Sequence, residues 1–191
     1  IIIEQKYSEE DDRRHIRWLI NAFRDKRYIR IGGKPLFLVY RAGNMPDPLK
    51  TTSVWREEAK IMGVGDLYLC RVESFPEEHT DPMGIGFDAA VEFQPDWTNL
   101  GPRLKDPVYG DRAVYDYSEI VKRMLQKSKP IYKRFPCVTP SWDNSPRRKT
   151  DALILVGSTP RLYEKWLKET IKRLNKGNSD ENIVFINAWN E

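Results

Sequence analysis

Short, mostly continuous apolar runs recur along this sequence with amphipathic segments between them. That alternation constrains the fold more than any other feature. The runs lie at residues 1–7 (apolar at Ile1, Ile2 and Ile3), 35–40, 67–72, 89–93, 137–139 and 183–186. A strand with one wet face alternates apolar and polar residues, whereas an unbroken run fits a strand covered on both faces, as in parallel sheets.

The intervening segments read as helices. Ser8 can cap the first, with Asp11 three residues on, and Ile16, Leu19, Ile20 and Phe23 form one apolar stripe. A second spans residues 52–62, with Trp55, Ala59 and Met62 on one side and Gly63 as a stop. Asp116 followed by Glu119 opens a third, whose stripe is Tyr117, Ile120, Val121 and Met124. Thr159-Pro160 opens a fourth, with proline at the first helical position; Trp166, Leu167, Ile171 and Leu174 face inward and Gly177 closes it. Strands alternating with helices imply βαβ units with right-handed crossovers. Residues 74–86 and 96–111 break the rhythm as long loops, and Gly32-Gly33-Lys34 reads as a simple turn.

Composition narrows the function. With 40% apolar residues the 191-residue chain can bury a core. Thirty-two basic against twenty-eight acidic side chains leave a charge of only +4, with no basic stripe for nucleic acid. No apolar stretch approaches the roughly 20 residues of a membrane span. Cys70 and Cys137 form no CxxC pair and read as core hydrophobes; His15 reads as a surface residue, and His15 and His79 offer no metal-ligand spacing. GxGxxG, P-loop and GxSxG patterns are absent, so neither a metal nor a cofactor is expected.

In parallel α/β folds ligands gather where strands end. Tyr40 and Arg41 follow Val39; Arg71 and Glu73 follow Cys70; Glu92, Gln94, Asp96 and Trp97 follow Val91. Ser141, Trp142, Asp143 and Asn144 follow the next run, and Asn187, Trp189, Asn190 and Glu191 the last. Carboxylates beside aromatic rings suit a carbohydrate: rings stack on sugar C–H faces, and paired carboxylates supply acid and base. Plainer readings stand beside this one. Glu92 inside a strand fits an ion-pair partner equally well, Trp142 fits rim packing, Glu73 fits a solvated loop, and Arg147-Arg148-Lys149 fits a solvated face.

Several motifs together resemble the WbsX glycosyltransferase family. They are Glu4-Gln5-Lys6-Tyr7, Arg27-Tyr28-Ile29, Gly33-Lys34-Pro35-Leu36-Phe37, Val39-Tyr40-Arg41 and Glu92-Phe93-Gln94-Pro95. Trp142-Asp143-Asn144-Ser145-Pro146-Arg147-Arg148 and Asn187-Ala188-Trp189-Asn190-Glu191 complete the set, in order along the chain. That family is associated with lipopolysaccharide O-antigen and other surface polysaccharides. It is similar to the endo-α-mannosidase family of glycoside hydrolases, which has a (β/α)8 barrel.

The resemblance implies a (β/α)8 TIM barrel in which residues 1–191 form one incomplete catalytic domain, roughly the later five or six βα units. A complete barrel takes about 250 residues, and the chain opens on bare Ile1-Ile2-Ile3, so a segment of a longer protein is expected. In the endo-mannosidase relatives the last strand ends in two glutamates three residues apart. The first matches Glu191, implied to act as a base on the sugar 2-hydroxyl; the second would fall beyond it. Tyr40, Arg41, Glu92, Trp142, Asp143, Asn187 and Trp189 are the expected substrate-binding residues. An oligosaccharide or polysaccharide is the expected partner, and the cytoplasm the expected location. Two rivals remain open: a non-catalytic glycan-binding module on a degenerate barrel, and a nucleotide-sugar-dependent glycosyltransferase, for which no Asp-x-Asp motif is present.

Overall fold

The computed structural model describes residues 7–105, 107–148, 150–174 and 179–189. In chain order its elements are α1 (Glu9–Phe23), β1 (Arg30–Ile31), β2 (Lys34–Tyr40), α2 (Pro48–Ile61), β3 (Tyr68–Glu73), β4 (Ala89–Glu92), β5 (Ala113–Asp116), α3 (Tyr117–Gln126), β6 (Arg134–Phe135), β7 (Cys137–Val138), β8 (Leu153–Val156), α4 (Pro160–Lys172) and β9 (Phe185–Ile186). The fold is mixed α/β, with parallel pairings of β2 with β3, β5 with β8, and β7 with β9. The chain divides into two compact units: one of residues 1–73, 77–91 and 131–134, the other of residues 74–76, 92–130 and 135–191. The expected first strand at residues 1–7 lies outside the described residues but for Tyr7, which is not in a strand.

In the first unit, strands are ordered β1-β2-β3-β4-β6. Gly32 and Gly33 both take positive φ (55° and 78°), which makes the tight β1–β2 hairpin that side chains with a Cβ would resist. The Ser8 hydroxyl accepts the Asp11 N–H at 3.1 Å, and Glu9, Glu10, Asp11 and Asp12 place negative charge at the positive end of α1. The stripe expected on α1 is real: Ile16, Ile20 and Phe23 pack with Val39, Trp55, Leu69 and Phe87 in one core. Glu58 is buried, but Arg17 (2.7 Å) and Arg13 bridge to it from α1, and both cations hold its carboxyl below the usual range. The second helix begins at Pro48, four residues earlier than expected, because Asp47 caps it through the Lys50 N–H.

The second unit has its own core of Leu100, Tyr117, Ile120, Val121, Met124, Val138, Trp142, Leu153, Leu155 and Trp166. Asp116 caps α3 through the Glu119 N–H (3.0 Å), and Thr159 caps α4 through the Leu162 N–H (3.2 Å), as their spacing predicts. Strands β5 and β8 are absent from the expected set. Leu153-Ile154-Leu155-Val156 is an unbroken apolar run of the kind that defines the others; Ala113-Val114-Tyr115-Asp116 is short and runs straight into a cap. Ile171, expected inside, is half exposed, because Trp166 and Thr170 take the buried stripe of α4 and Ile171 sits a further 100° round the helix. The Gly177 stop lies outside the described residues. No described helix is long and apolar enough to cross a membrane, and no three described His, Cys, Asp or Glu side chains form a potential metal cluster.

Candidate functional site

Each unit carries polar and aromatic groups where its parallel strands end, and the two sets differ. In the first unit β2 ends at Tyr40, whose ring is exposed. Arg41 follows in the left-handed region (φ 58°), a conformation that costs a non-glycine residue and recurs at functional positions. The turn lays its guanidinium over the Tyr40 ring, 5.8 Å from the centroid.

At the end of β3, Arg71 and Glu73, the strand-end residues read from the sequence, stand in a cluster with Tyr132 and Arg134, which the sequence did not flag. Glu73 is not a solvated loop residue; it is the last residue of β3 and its side chain is 1% exposed. Its carboxylate accepts the Tyr132 hydroxyl at 2.6 Å and lies 3.3 Å from Arg134 and 3.5 Å from Arg71. Arg71 is itself buried and also donates to Thr80. Burial, and then the bond to Glu73, push the Tyr132 hydroxyl up to about 12.

The remaining predicted residues lie in the second unit. Glu92 ends β4, where its carboxylate accepts Lys127 Nζ at 3.0 Å and the Cys137 N–H at 3.3 Å. Lys127 also pairs with buried Asp96. Burial pushes the Asp96 carboxyl up, but Lys127 and Thr98 together hold it below its ordinary value. Burial pushes the Cys137 thiol up to about 12, with the Glu92 charge adding to it. Trp142 belongs to the core, with its ring 5.4 Å from that of Trp97 and the Arg147 guanidinium 5.4 Å over it. Its buried Nε1 has no hydrogen-bond partner among the described residues.

Asp143 is exposed and accepts the Ser145 N–H at 2.8 Å. The neighbouring Asn144 is buried and accepts the Leu153 N–H, while its carbonyl takes the Arg147 and Arg148 N–H groups. The Trp-Asp-Asn motif is therefore a folded turn that holds the end of β7 against β8. Asn187 follows β9: its N–H donates to the Val138 carbonyl at 2.9 Å and its side-chain amide to the Gln94 carbonyl. Ala188 then takes a positive φ of 54°, turning the chain so that Trp189 stands 72% exposed. Glu191 lies outside the described residues.

Trp189 borders a cleft of about 270 Å³ together with Pro140, Ser158, Thr159, Pro160 and Tyr163. These residues follow β7, β8 and β9 or open α4, so the cleft sits at the C-terminal ends of three strands. Ser158, Thr159 and Tyr163 were not among the expected site residues. The signal was the run Leu153-Ile154-Leu155-Val156: reading it as a strand makes Gly157-Ser158-Thr159 a strand end like the others.

The sequence profile of the glycosyltransferase WbsX family matches residues 1–191, and the chain belongs to that family. Two curated relatives, the WxcX proteins of two strains of Xanthomonas campestris pv. campestris, are each 39% identical over 198 residues. The match covers the whole of this chain and 28% of theirs, so the chain spans just over a quarter of their length. Among solved structures, an endo-α-mannosidase from Bacteroides thetaiotaomicron is similar with a TM-score of 0.52 and 18% identity, over 98% of this chain and 54% of that one. The chain thus shares its fold with about half of that enzyme's chain, as the motifs led one to expect.

Proposed function

We propose that this chain supplies part of a carbohydrate-active enzyme that cleaves or transfers a glycosidic bond at the C-terminal rim of a (β/α)8 barrel. The observation that carries the reading is the end of β9. Asn187 is tied to the strand beside it and to Gln94, which delivers Ala188 and Trp189 to a strand's C-terminal end. Barrel enzymes keep their chemistry there. Family membership and the fold shared with an endo-α-mannosidase support the same class of activity.

In this reading Glu191 takes the proton of the sugar 2-hydroxyl as that oxygen forms a bond to C1. The glycosidic C1–O bond breaks, and a second carboxylic acid gives its proton to the departing oxygen. The resulting anhydro-sugar is opened by water, which is hydrolysis, or by a sugar hydroxyl, which is transfer. One site can therefore serve both the family's name and its fold. Surface-polysaccharide fragments and α-mannosides are the proposed substrates, with Glu92, Trp142, Asp143, Asn187 and Trp189 of the second unit binding or supporting the binding of the sugar, and Tyr40 and Arg41 as proposed sugar contacts of the first unit.

The test is Glu191→Gln in the full-length protein, assayed on those substrates. Turnover should fall about 10²–10⁴-fold, the usual weight of a positioned acid or base, with the circular dichroism spectrum unchanged. Undiminished turnover would remove Glu191 from the chemistry. The family's description as glycosyltransferases favours one rival, a nucleotide-sugar donor. Saturable binding of a nucleoside diphosphate sugar would establish it.

A further inference from the structure

A helix can gather into one row cations that are scattered along a sequence, and α4 does so. Arg161, Lys165, Lys168 and Lys172 stand at i, i+4, i+7 and i+11 of this helix. At about 100° per residue they fall within about 60° of arc, along about 16 Å of helix. All four are exposed. Trp166 and Thr170 mark the opposite, buried side, so the row faces straight out from the core. An overall charge of only +4 hides this row, and the structure corrects the expectation that the chain has no basic stripe.

The other described α-helices mix their signs at this position. Opposite their buried stripes, α1 carries Glu10 and Arg14, α2 carries Glu57 and Lys60, and α3 carries Glu119 and Lys122. On α4 the acids stand at the two edges of the row instead. Glu164 bridges to Lys168 and Glu169 to Lys172, each at 2.6 Å. Both lysines remain more than 60% exposed (66% and 69%), and pairs so open to water are weak and screened by salt. Arg161 and Lys165 act on the same two acids only at longer range. A dense array of phosphates therefore competes well for all four cations.

We infer that the outward face of α4 docks on a membrane surface of anionic phospholipids, with Arg161, Lys165, Lys168 and Lys172 on the headgroup phosphates. The shape of the row selects this occupant. A nucleic-acid strand is gripped in a groove and stacked on aromatic rings. This row stands on the convex side of a helix, and the apolar residue beside it is the half-exposed Ile171. A flat anionic surface meets such a row along its whole length, and each cation near it adds to the attraction. Because Trp166 packs into the core of the second unit, the apolar side of α4 is already occupied. The contact is thus electrostatic and peripheral, at the level of the headgroups, without insertion. The inference does not rest on the sugar chemistry proposed above.

The experiment sediments the full-length protein at low salt with vesicles of mixed phosphatidylcholine and phosphatidylglycerol, and with vesicles of phosphatidylcholine alone. The protein should bind the mixed vesicles and not the neutral ones, and about 0.5 M salt should release it. Arg161→Gln combined with Lys165→Gln should lower the partition about ten- to thirty-fold, at about five-fold per cation, with the circular dichroism spectrum unchanged. Arg161→Lys combined with Lys165→Arg keeps both charges and should retain binding. Failure to bind the mixed vesicles overturns the assignment, as does equal binding to both kinds of vesicle. An unchanged partition in the double glutamine variant overturns it as well, because the attraction would then lie elsewhere on the protein. Binding of soluble dextran sulfate that depends on Arg161 and Lys165, with no binding to vesicles, overturns it in favour of an acidic polymer. Every one of these outcomes leaves the carbohydrate reading where it stands.

Discussion

At the end of β3 in the first unit, the carboxylate oxygens of Glu73 face Tyr132, Arg134 and Arg71, all within 3.5 Å. At the ends of β7, β8 and β9 in the second unit, the Tyr163 hydroxyl and the Trp142 indole N–H are buried without partners among the described residues, and Trp189 is exposed. Both regions are strand ends rich in the residue types of an active site. They differ in access rather than in satisfaction: the Glu73 cluster is closed over, with the Nε of buried Arg71 as its own unpartnered group among the described residues, whereas Trp189 turns its indole to solvent. A buried charge cluster acts first on stability, because removing one partner leaves another charge uncompensated in the interior. On that criterion Glu73 belongs to the architecture, although a list of residue types would rank it first among site candidates.

The contrast can be broken by mutation. The largest effect on folding is expected at Glu73→Ala, which strands two nearby guanidinium groups, one of them in the core. Urea denaturation should show a loss of about 3–5 kcal/mol, with sugar affinity at permissive temperature unchanged. A fall in affinity without loss of stability would move Glu73 into the site. Asn144→Ala removes the acceptor of the buried Leu153 N–H and should cost about 1–3 kcal/mol. A smaller cost would mean that the Trp-Asp-Asn turn does not hold β7 against β8.

Tyr163→Phe should leave stability unchanged or raise it by up to about 1 kcal/mol, since it deletes a hydroxyl with no internal partner. A clear destabilisation would show that the hydroxyl is already bonded within the fold. The last effect shows only as a slope at alkaline pH. The Tyr132 hydroxyl lies at about 12 against an ordinary 10.0. The folded protein therefore holds this proton more tightly than the unfolded chain. The resulting stability is complete below pH 10 and drains away as pH rises towards 12. Tyr132→Phe should flatten that part of the alkaline unfolding curve; an identical slope would contradict the assignment.

What could be read from the sequence was what is local. Ser8, Asp116 and Thr159 sit three residues from the N–H groups they cap, and the α1 stripe repeats within four turns, so each needs only its own segment. Glu73 was misjudged because its burial partners, Tyr132 and Arg134, lie about sixty residues away. Ile171 was placed inside by periodicity alone, but which face of α4 is buried depends on what packs against it. Leu153-Ile154-Leu155-Val156 is as continuous an apolar run as the other strands, and the strand end it marks carries Ser158, Thr159 and, in the first turn of α4, Tyr163. Of the expected site residues, Tyr40 and Arg41 belong to the first unit and Glu92, Trp142, Asp143, Asn187 and Trp189 to the second. Only Trp189 among them lines the cleft.

The most direct measurement is a paired one on the full-length protein: turnover of an α-mannoside by the wild type and by Glu191→Gln, with calorimetric affinity for the same sugar recorded in each. The substitution should lower turnover about 10²–10⁴-fold while affinity stays within about three-fold, because the exposed Trp189 ring is untouched by it. Turnover that survives the substitution, or a sugar that neither protein binds, would contradict it.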